Sequence, residues 1–377
     1  MLVTHVGSLV RPPDLVKLLR ESLDHPIDQE VLSKSLDDAV RKIVEQQIEI
    51  GIDIVSDGEF GKSINWSRYV LERLAGFEQK TEQKTVGFPK SVRGKDRRDF
   101  AEFYEEYDVT QGFVGMSGWV VTGPIKYVDR AIKQDLDRLK KALKGKVATA
   151  FVPAVSPVSV APDRKDEYYK NDEEYLFAIA DAMNHEYKAI IDAGFILQVD
   201  DSYMASTFDV MVPPGTLADF RKWAAVRVEA VNHALRGLPA DRVRYHMCWG
   251  SWNGPHTNDL PLKDIVDLLL TIRVSGYSFE MANPRHEHEW HVWENVKLPE
   301  DKVLVPGVIS HATNVVEHPE LVAERLTRLA RLVGKDRVIA STDCGFAQGP
   351  FTRRVHPSIM WAKLKALVEG ARLADAS

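Results

Sequence analysis

The 377-residue chain contains no run of about 18 apolar residues, so nothing in it reads as a membrane span. Its opening residues, Met1-Leu2-Val3-Thr4-His5, hold neither a basic leader nor an apolar signal core, so a cytoplasmic location is expected. Two cysteines are too few for a disulfide framework. In a reducing compartment they are left for burial, catalysis or metal binding. There is no long basic run, and 49 Lys and Arg against 55 Asp and Glu leave a net charge of −6, which argues against nucleic acid as a partner. Low-complexity segments and short repeats are absent. So is the combination of low hydrophobicity and high net charge that marks disorder: 44% of residues are hydrophobic, enough to bury a core.

What is present is an alternation of short apolar runs and longer amphipathic stretches. The runs fall at Leu2–Ser8, Ile52–Asp57, Val147–Pro153, Ile196–Asp201, Val243–Trp249, Tyr277–Met281, Val303–Ile309 and Val338–Thr342. Helical spacing occupies Asp38–Ile50, Glu174–Ala193 (with Gly194 as its stop), Leu262–Val274 and Pro319–Leu332. Runs that are apolar throughout suit parallel strands buried on both faces. Eight of them alternating with helices predict an α/β fold, a (β/α)8 TIM barrel. The alternative is an open doubly wound sheet, but no glycine-rich phosphate loop follows the first run. One domain over residues 1–377 is expected, with an insertion between strands 2 and 3, about residues 62–145, capping the barrel mouth. Within it Gln79–Arg98 is polar and basic, and Trp119–Tyr127 reads as a strand outside the barrel.

Barrel active sites sit at the C-terminal ends of the strands. Those ends carry Gly7-Ser8, Asp57-Gly58-Glu59, Asp200-Asp201, His246-Met247-Cys248, Glu280 and Asp343-Cys344-Gly345. Side chains at i and i+2 of a strand share a face, so His246 and Cys248 can point at one ion. With Glu280 and Cys344 they form a ligand set suited to zinc. The same residues also suit two buried cysteines, a core histidine and a surface glutamate, and spacing alone does not choose.

The segments THVGSL (Thr4–Leu9), DIVSDGEF (Asp53–Phe60), LQVDD (Leu197–Asp201), HMC (His246–Cys248), FE (Phe279-Glu280), PGVI (Pro306–Ile309) and TDCG (Thr342–Gly345) run in order along the chain. In these the sequence resembles the cobalamin-independent methionine synthase family, as a single-barrel member matching its catalytic barrel. In its C-terminal half it is more similar to the epoxyalkane:coenzyme M transferases, through HMCWGSWNGPH, PRHEHEWHVWENVKLP, PGVISHATNVVEHPELV and LVGKDRVIASTDCG. The resemblance implies Zn2+ on His246, Cys248, Glu280 and Cys344. It also implies thiol-substrate contacts at Gly7, Ser8, Glu59 and Asp200, with Glu59 and Asp200 acting in catalysis.

The implied activity is zinc-dependent S-alkyl transfer, in which the thiolate of a small thiol attacks an electrophilic carbon. Epoxide opening is placed first and methyl transfer to homocysteine second; a zinc hydrolase is a third possibility. The partners are then a small thiol and a small alkyl or methyl donor, and a homo-oligomer is expected. Carboxylates at Glu59 and Asp200 suit an amino-acid ammonium. A sulfonate tail needs cations, for which Arg285 is the foremost candidate, with Arg11, Lys62, Arg353 and Arg354 behind it. The family's proton-donor histidine aligns with Ala312, so His311 beside it is the candidate acid. Trp249 is expected to wall the pocket for the alkyl donor. Asp201-Ser202 replaces the family's Glu-Pro, and the segment AVSPVSVAP lacks the tryptophan that methionine synthases place near folate.

Overall fold

A computed structural model of the chain describes residues 1–85, 94–110, 116–162 and 164–376. Seven parallel strands pair in the order Ile54–Val55, Thr149–Val155, Ile196–Asp201, Val243–Met247, Gly276–Glu280, Val303–Ile309 and Ser341–Thr342. Residues 2–5 join the two edges. Val3 bridges Ala340 in parallel, and its carbonyl accepts the Asp53 and Ile54 amides on the other side. The expected eight-stranded (β/α)8 ring is therefore present, its first member reduced to a single bridge. The strands are buried along nearly their whole length, as their unbroken apolar character requires.

Helices wrap the ring where the sequence carries amphipathic spacing and caps. In Gln29–Ile50, Leu36, Val40, Ile43 and Val44 form the buried stripe. The Asp28 carboxylate accepts the Glu30 amide at the start, and Gly51, with φ +97°, ends the helix in the left-handed region. Asp172–Asp192 is capped by Asn171, and Leu217–Ala234 by a reciprocal Thr216–Asp219 capping box. Pro319–Val333 packs on the C-terminal helix Pro357–Ala376. No helix among the described residues is long and apolar enough to cross a membrane.

The expected helix over Leu262–Val274 is replaced by a 3-10 turn, Leu262–Asp264, and one short helix, Val266–Leu269. Outside groups take the carbonyls a longer helix would use: Arg221 Nη1 donates to Asp264 O, and the Tyr277 hydroxyl lies at 3.2 Å from Leu270 O and 3.0 Å from Ile272 O.

Between the second and third barrel strands the chain leaves the ring. Leu74–Thr85 pairs antiparallel with Met116–Tyr127, which takes in the strand expected at Trp119–Tyr127 and pairs in parallel with Lys165–Asp166. Two helices follow the first of these strands, Lys95–Asp99 and Ala101–Thr110. They lie on the loop after the fifth barrel strand: Trp252 Nε1 donates to Tyr104 Oη at 2.9 Å, and Asp96 accepts the Thr257 amide at 3.0 Å. Part of the basic stretch, residues 86–93, lies outside the described residues.

Candidate metal centre and substrate cavity

Strand register sets the level of the site. Asp200 pairs with His246, and His246 with Ser278, across three neighbouring strands. Met247 points the opposite way from His246, and Cys248 follows at the strand's end, so His246 and Cys248 face one side together. Cys344 arrives from the eighth strand. One ligand atom from each of His246, Cys248 and Cys344 lies within 4.8 Å of the other two.

His246 Nδ1 sits 3.1 Å from Ser278 Oγ. Its Nε2 is buried with no hydrogen-bond partner among the described residues. Donors surround the sulfurs: the Gly250 amide points at Cys248 Sγ (3.1 Å) and the Ser251 hydroxyl at Cys344 Sγ (3.2 Å). Gly250 has φ +108°, and a Cβ there would fall 1.9 Å from the Trp252 ring. The contact between the two thiols pushes Cys344 well below the usual thiol range and Cys248 well above it. Burial alone would lower His246, but neighbouring Cys344 outweighs it and the imidazole is raised. A buried imidazole with an orphaned nitrogen beside two sulfurs fits a divalent thiophilic ion such as zinc.

Glu280, the fourth expected ligand, does not join this group. Its Oε1 accepts the Trp249 amide at 3.0 Å and its Oε2 accepts Asn283 Nδ2 at 2.7 Å. The structure thus brings three of the four expected ligands within 4.8 Å of one another, with Glu280 anchored beside them by two hydrogen bonds.

The cluster opens into a cavity of about 420 Å³, whose wall includes Ser8, Glu59, Asp200, Trp252, Arg164 and Arg354. Gly7 lies behind it with φ +132°, and a Cβ there would meet Pro153 Cγ at 2.5 Å and Glu59 Oε1 at 2.9 Å. Ser8 Oγ donates to the Ala347 carbonyl. Glu59 sits in the left-handed region at φ +62°, beside Gly58 at φ +69°. Asp57 accepts its amide, Arg11 Nη2 donates to its carbonyl at 2.6 Å, and Lys62 Nζ lies 3.1 Å from its carboxylate. Asp200 accepts Gln198 Nε2 at 2.7 Å, and burial pushes its carboxyl up to about 7. Its neighbour Asp201 is held by the protein: Ser156, Ser159, Tyr245 and the Met204 amide all donate to it, which fixes the start of helix Tyr203–Met211.

Three expected site residues lie off this wall. Arg285 is exposed and donates to the Thr257 carbonyl at 3.2 Å, because Asn283 turns the chain away from the barrel axis just after Glu280. Trp249 is buried in packing, with its indole N–H on Leu260 O at 2.7 Å and its ring stacked 4.0 Å from His286. His311 is buried with neither ring nitrogen partnered among the described residues, and burial lowers its pKa, which leaves a neutral ring rather than a ready acid.

Other groups were not legible beforehand. Arg164 and Ser251 reach the cavity from loops whose course no periodicity reveals. His256, Asp259, His286 and Glu289 form a buried chain of contacts at 3.0 Å each. The HEH spelling at 286–288 was its one visible trace.

Comparison with known proteins gives a consistent picture. The family described as "Cobalamin-independent synthase, Catalytic domain" matches residues 104–372. The 2-hydroxypropyl-CoM lyase of Xanthobacter autotrophicus is 24% identical over 378 residues, covering 92% of this chain and 87% of its own. The methionine synthase of Sulfolobus acidocaldarius is 24% identical over 345 residues, covering 91% and 84%. Among solved structures, a B12-independent methionine synthase from Shewanella sp. W3-18-1, in complex with selenomethionine, superposes with a TM-score of 0.74 at 20% identity, covering 99% of this chain and 97% of that one.

Proposed function

The chain belongs to the family of cobalamin-independent synthase catalytic domains, and from that premise we propose that it alkylates the sulfur of a small thiol bound beside His246, Cys248 and Cys344. The observation that carries this reading is the convergence of two thiols and an orphaned imidazole nitrogen on the floor of a cavity large enough for a small substrate. Bound zinc would supply the acidity that makes a substrate thiol a thiolate at neutral pH. The chain's own part is to hold and orient. Gly250 N–H and Ser251 Oγ–H stabilise the negative sulfurs of the ligands. Asp200 and Glu59 form an acidic flank, Arg164 and Arg354 a basic one. With two anionic sulfurs around the ion, little net positive charge remains to activate water, which disfavours hydrolysis.

The first reading of the electrophile is a small epoxide-type carbon, with a thiol whose tail meets the basic flank. A second reading, methyl transfer to homocysteine, draws on the acidic flank, where an ammonium would sit. Asp200 is the cavity group placed to move a proton for either. The insertion, about residues 62–145, is read as belonging to the same domain, because its helices dock on the loop that carries Trp252.

The test is direct. Zinc-loaded protein is given 2-mercaptoethanesulfonate with a short epoxide, or homocysteine with a methyl donor, and S-alkylated product is followed by mass spectrometry. Cys248→Ala should lose zinc and turnover together. Undiminished turnover in a metal-free variant would sink the reading.

A further inference from the structure

Lys62 lies behind the cavity wall, and its position bears on which thiol the cavity accepts. Its Nζ is 3.1 Å from Glu59 Oε2, and the two side chains are 8% and 5% exposed. The same ammonium sits 4.4 Å from the centroid of the Tyr69 ring. Tyr69 is itself immobilised: its hydroxyl donates to Glu186 at 2.8 Å and accepts the Val155 amide at 3.2 Å. Arg11 Nη2 ties down the backbone carbonyls of both Glu59 (2.6 Å) and Lys62 (2.9 Å). The pair is therefore rigid. A substrate ammonium taking Glu59 would strand a buried lysine, a costly exchange.

The other carboxylates of the wall accept hydrogen bonds from neutral groups. Asp200 Oδ1 accepts Gln198 Nε2, and Asp201 is surrounded by four donors. Two cations of the wall, Arg164 and Arg354, are not paired as Lys62 is. Arg354 donates through Nε to Gln348 Oε1 at 2.6 Å, and Arg164 through Nη1 to Pro162 O. Neither pairs with a carboxylate among the described residues.

Resting on the thiol-alkylation reading above, we propose that Lys62 is a specificity-determining residue: by occupying Glu59 it excludes thiols that carry an amino group and selects thiols with an anionic tail. Glu59, which would otherwise favour an amino-acid thiol, is thus neutralised from behind, and the Arg164 and Arg354 guanidinium groups are left for the tail.

Three thiols of matched length test this by calorimetric titration of the zinc-loaded full chain: 2-mercaptoethanesulfonate, neutral 2-mercaptoethanol and cationic 2-mercaptoethylamine. The native protein should bind the sulfonate at least tenfold more tightly than the amine. Lys62→Met should shrink that ratio at least tenfold, with 2-mercaptoethanol affinity unchanged, and Lys62→Arg should restore it. Glu59→Gln, which removes the other half of the pair, should strengthen sulfonate binding and covers the case of a poorly folded Lys62→Met. Native preference for the amine, or a tail ratio indifferent to both variants while 2-mercaptoethanol still binds, would overturn the role of Lys62 alone. Failure of all three thiols to bind would overturn the thiol reading and this inference with it.

Discussion

At the residue scale the site depends on a few positions with no tolerance. Cys344 supplies one of only two sulfurs in the cluster. Cys344→Ser should lower zinc affinity by more than the roughly 10–100-fold that loss of a supporting hydrogen bond costs; metal competition with a chromophoric chelator measures it. Gly7 is constrained twice, by its φ of +132° and by the absence of room for a Cβ between Pro153 and Glu59. Gly7→Ala should destabilise the fold by about 1–3 kcal/mol, read by urea unfolding, and weaken thiol binding by displacing Glu59. The family resemblance named the ligand candidates, and strand periodicity puts His246 and Cys248 on one face. The anchoring of Glu280 was not legible in the sequence, because it comes from the Trp249 amide and Asn283, one on another strand's loop.

At the element scale the loops after the fifth and sixth strands are joined by the buried chain of His256, Asp259, His286 and Glu289. Burial pulls His286 down, but Asp259 on one ring nitrogen and Glu289 on the other lift it from 6.5 to about 10. A histidine raised on folding stabilises the native state fully below its unfolded pKa of 6.5, and that contribution is lost as pH climbs through its folded value. Urea unfolding of the native chain should therefore show this contribution intact at pH 6 and fading towards pH 10. His286→Gln should flatten that part of the profile, and an unchanged slope would contradict the assignment. The helices off the barrel were less legible than the strands. Leu262–Val274 carries helical spacing, yet Arg221 and Tyr277, distant in sequence or on the next strand, claim its carbonyls.

At the scale of the whole molecule, the cluster joins the fifth strand to the eighth, so an ion held there would cross-link distant parts of the ring. Zinc at 100 times its Kd should add about 2.7 kcal/mol of stability, on the order of 5 °C in melting temperature for a chain of this size. Differential scanning calorimetry before and after chelation, with zinc added back, measures it; a midpoint indifferent to zinc would argue against binding at that cluster. The ring also surrounds a polar interior. Arg244 lies inside, over Phe151, bonded to Gln198, Thr4 and the His5 carbonyl. Gln198 in turn reaches Asp200, so the floor of the cavity is braced by the barrel's own filling.

The sequence by itself determined the order of the ring's strands and the alignment of two site residues. Runs that are apolar throughout suit strands of a covered parallel sheet, and the i, i+2 rule of a strand aims His246 and Cys248 together. These are short-range constraints, written in consecutive residues. Tertiary structure alone decided which charges remain available. Arg285 leaves the wall because Asn283 turns the chain, Arg164 and Arg354 enter it on loops, and Lys62 reaches Glu59 from behind while Tyr69 and Glu186 hold it there. Whether a buried charge is paired depends on partners that folding brings from anywhere in the chain, and no spacing along the sequence encodes that.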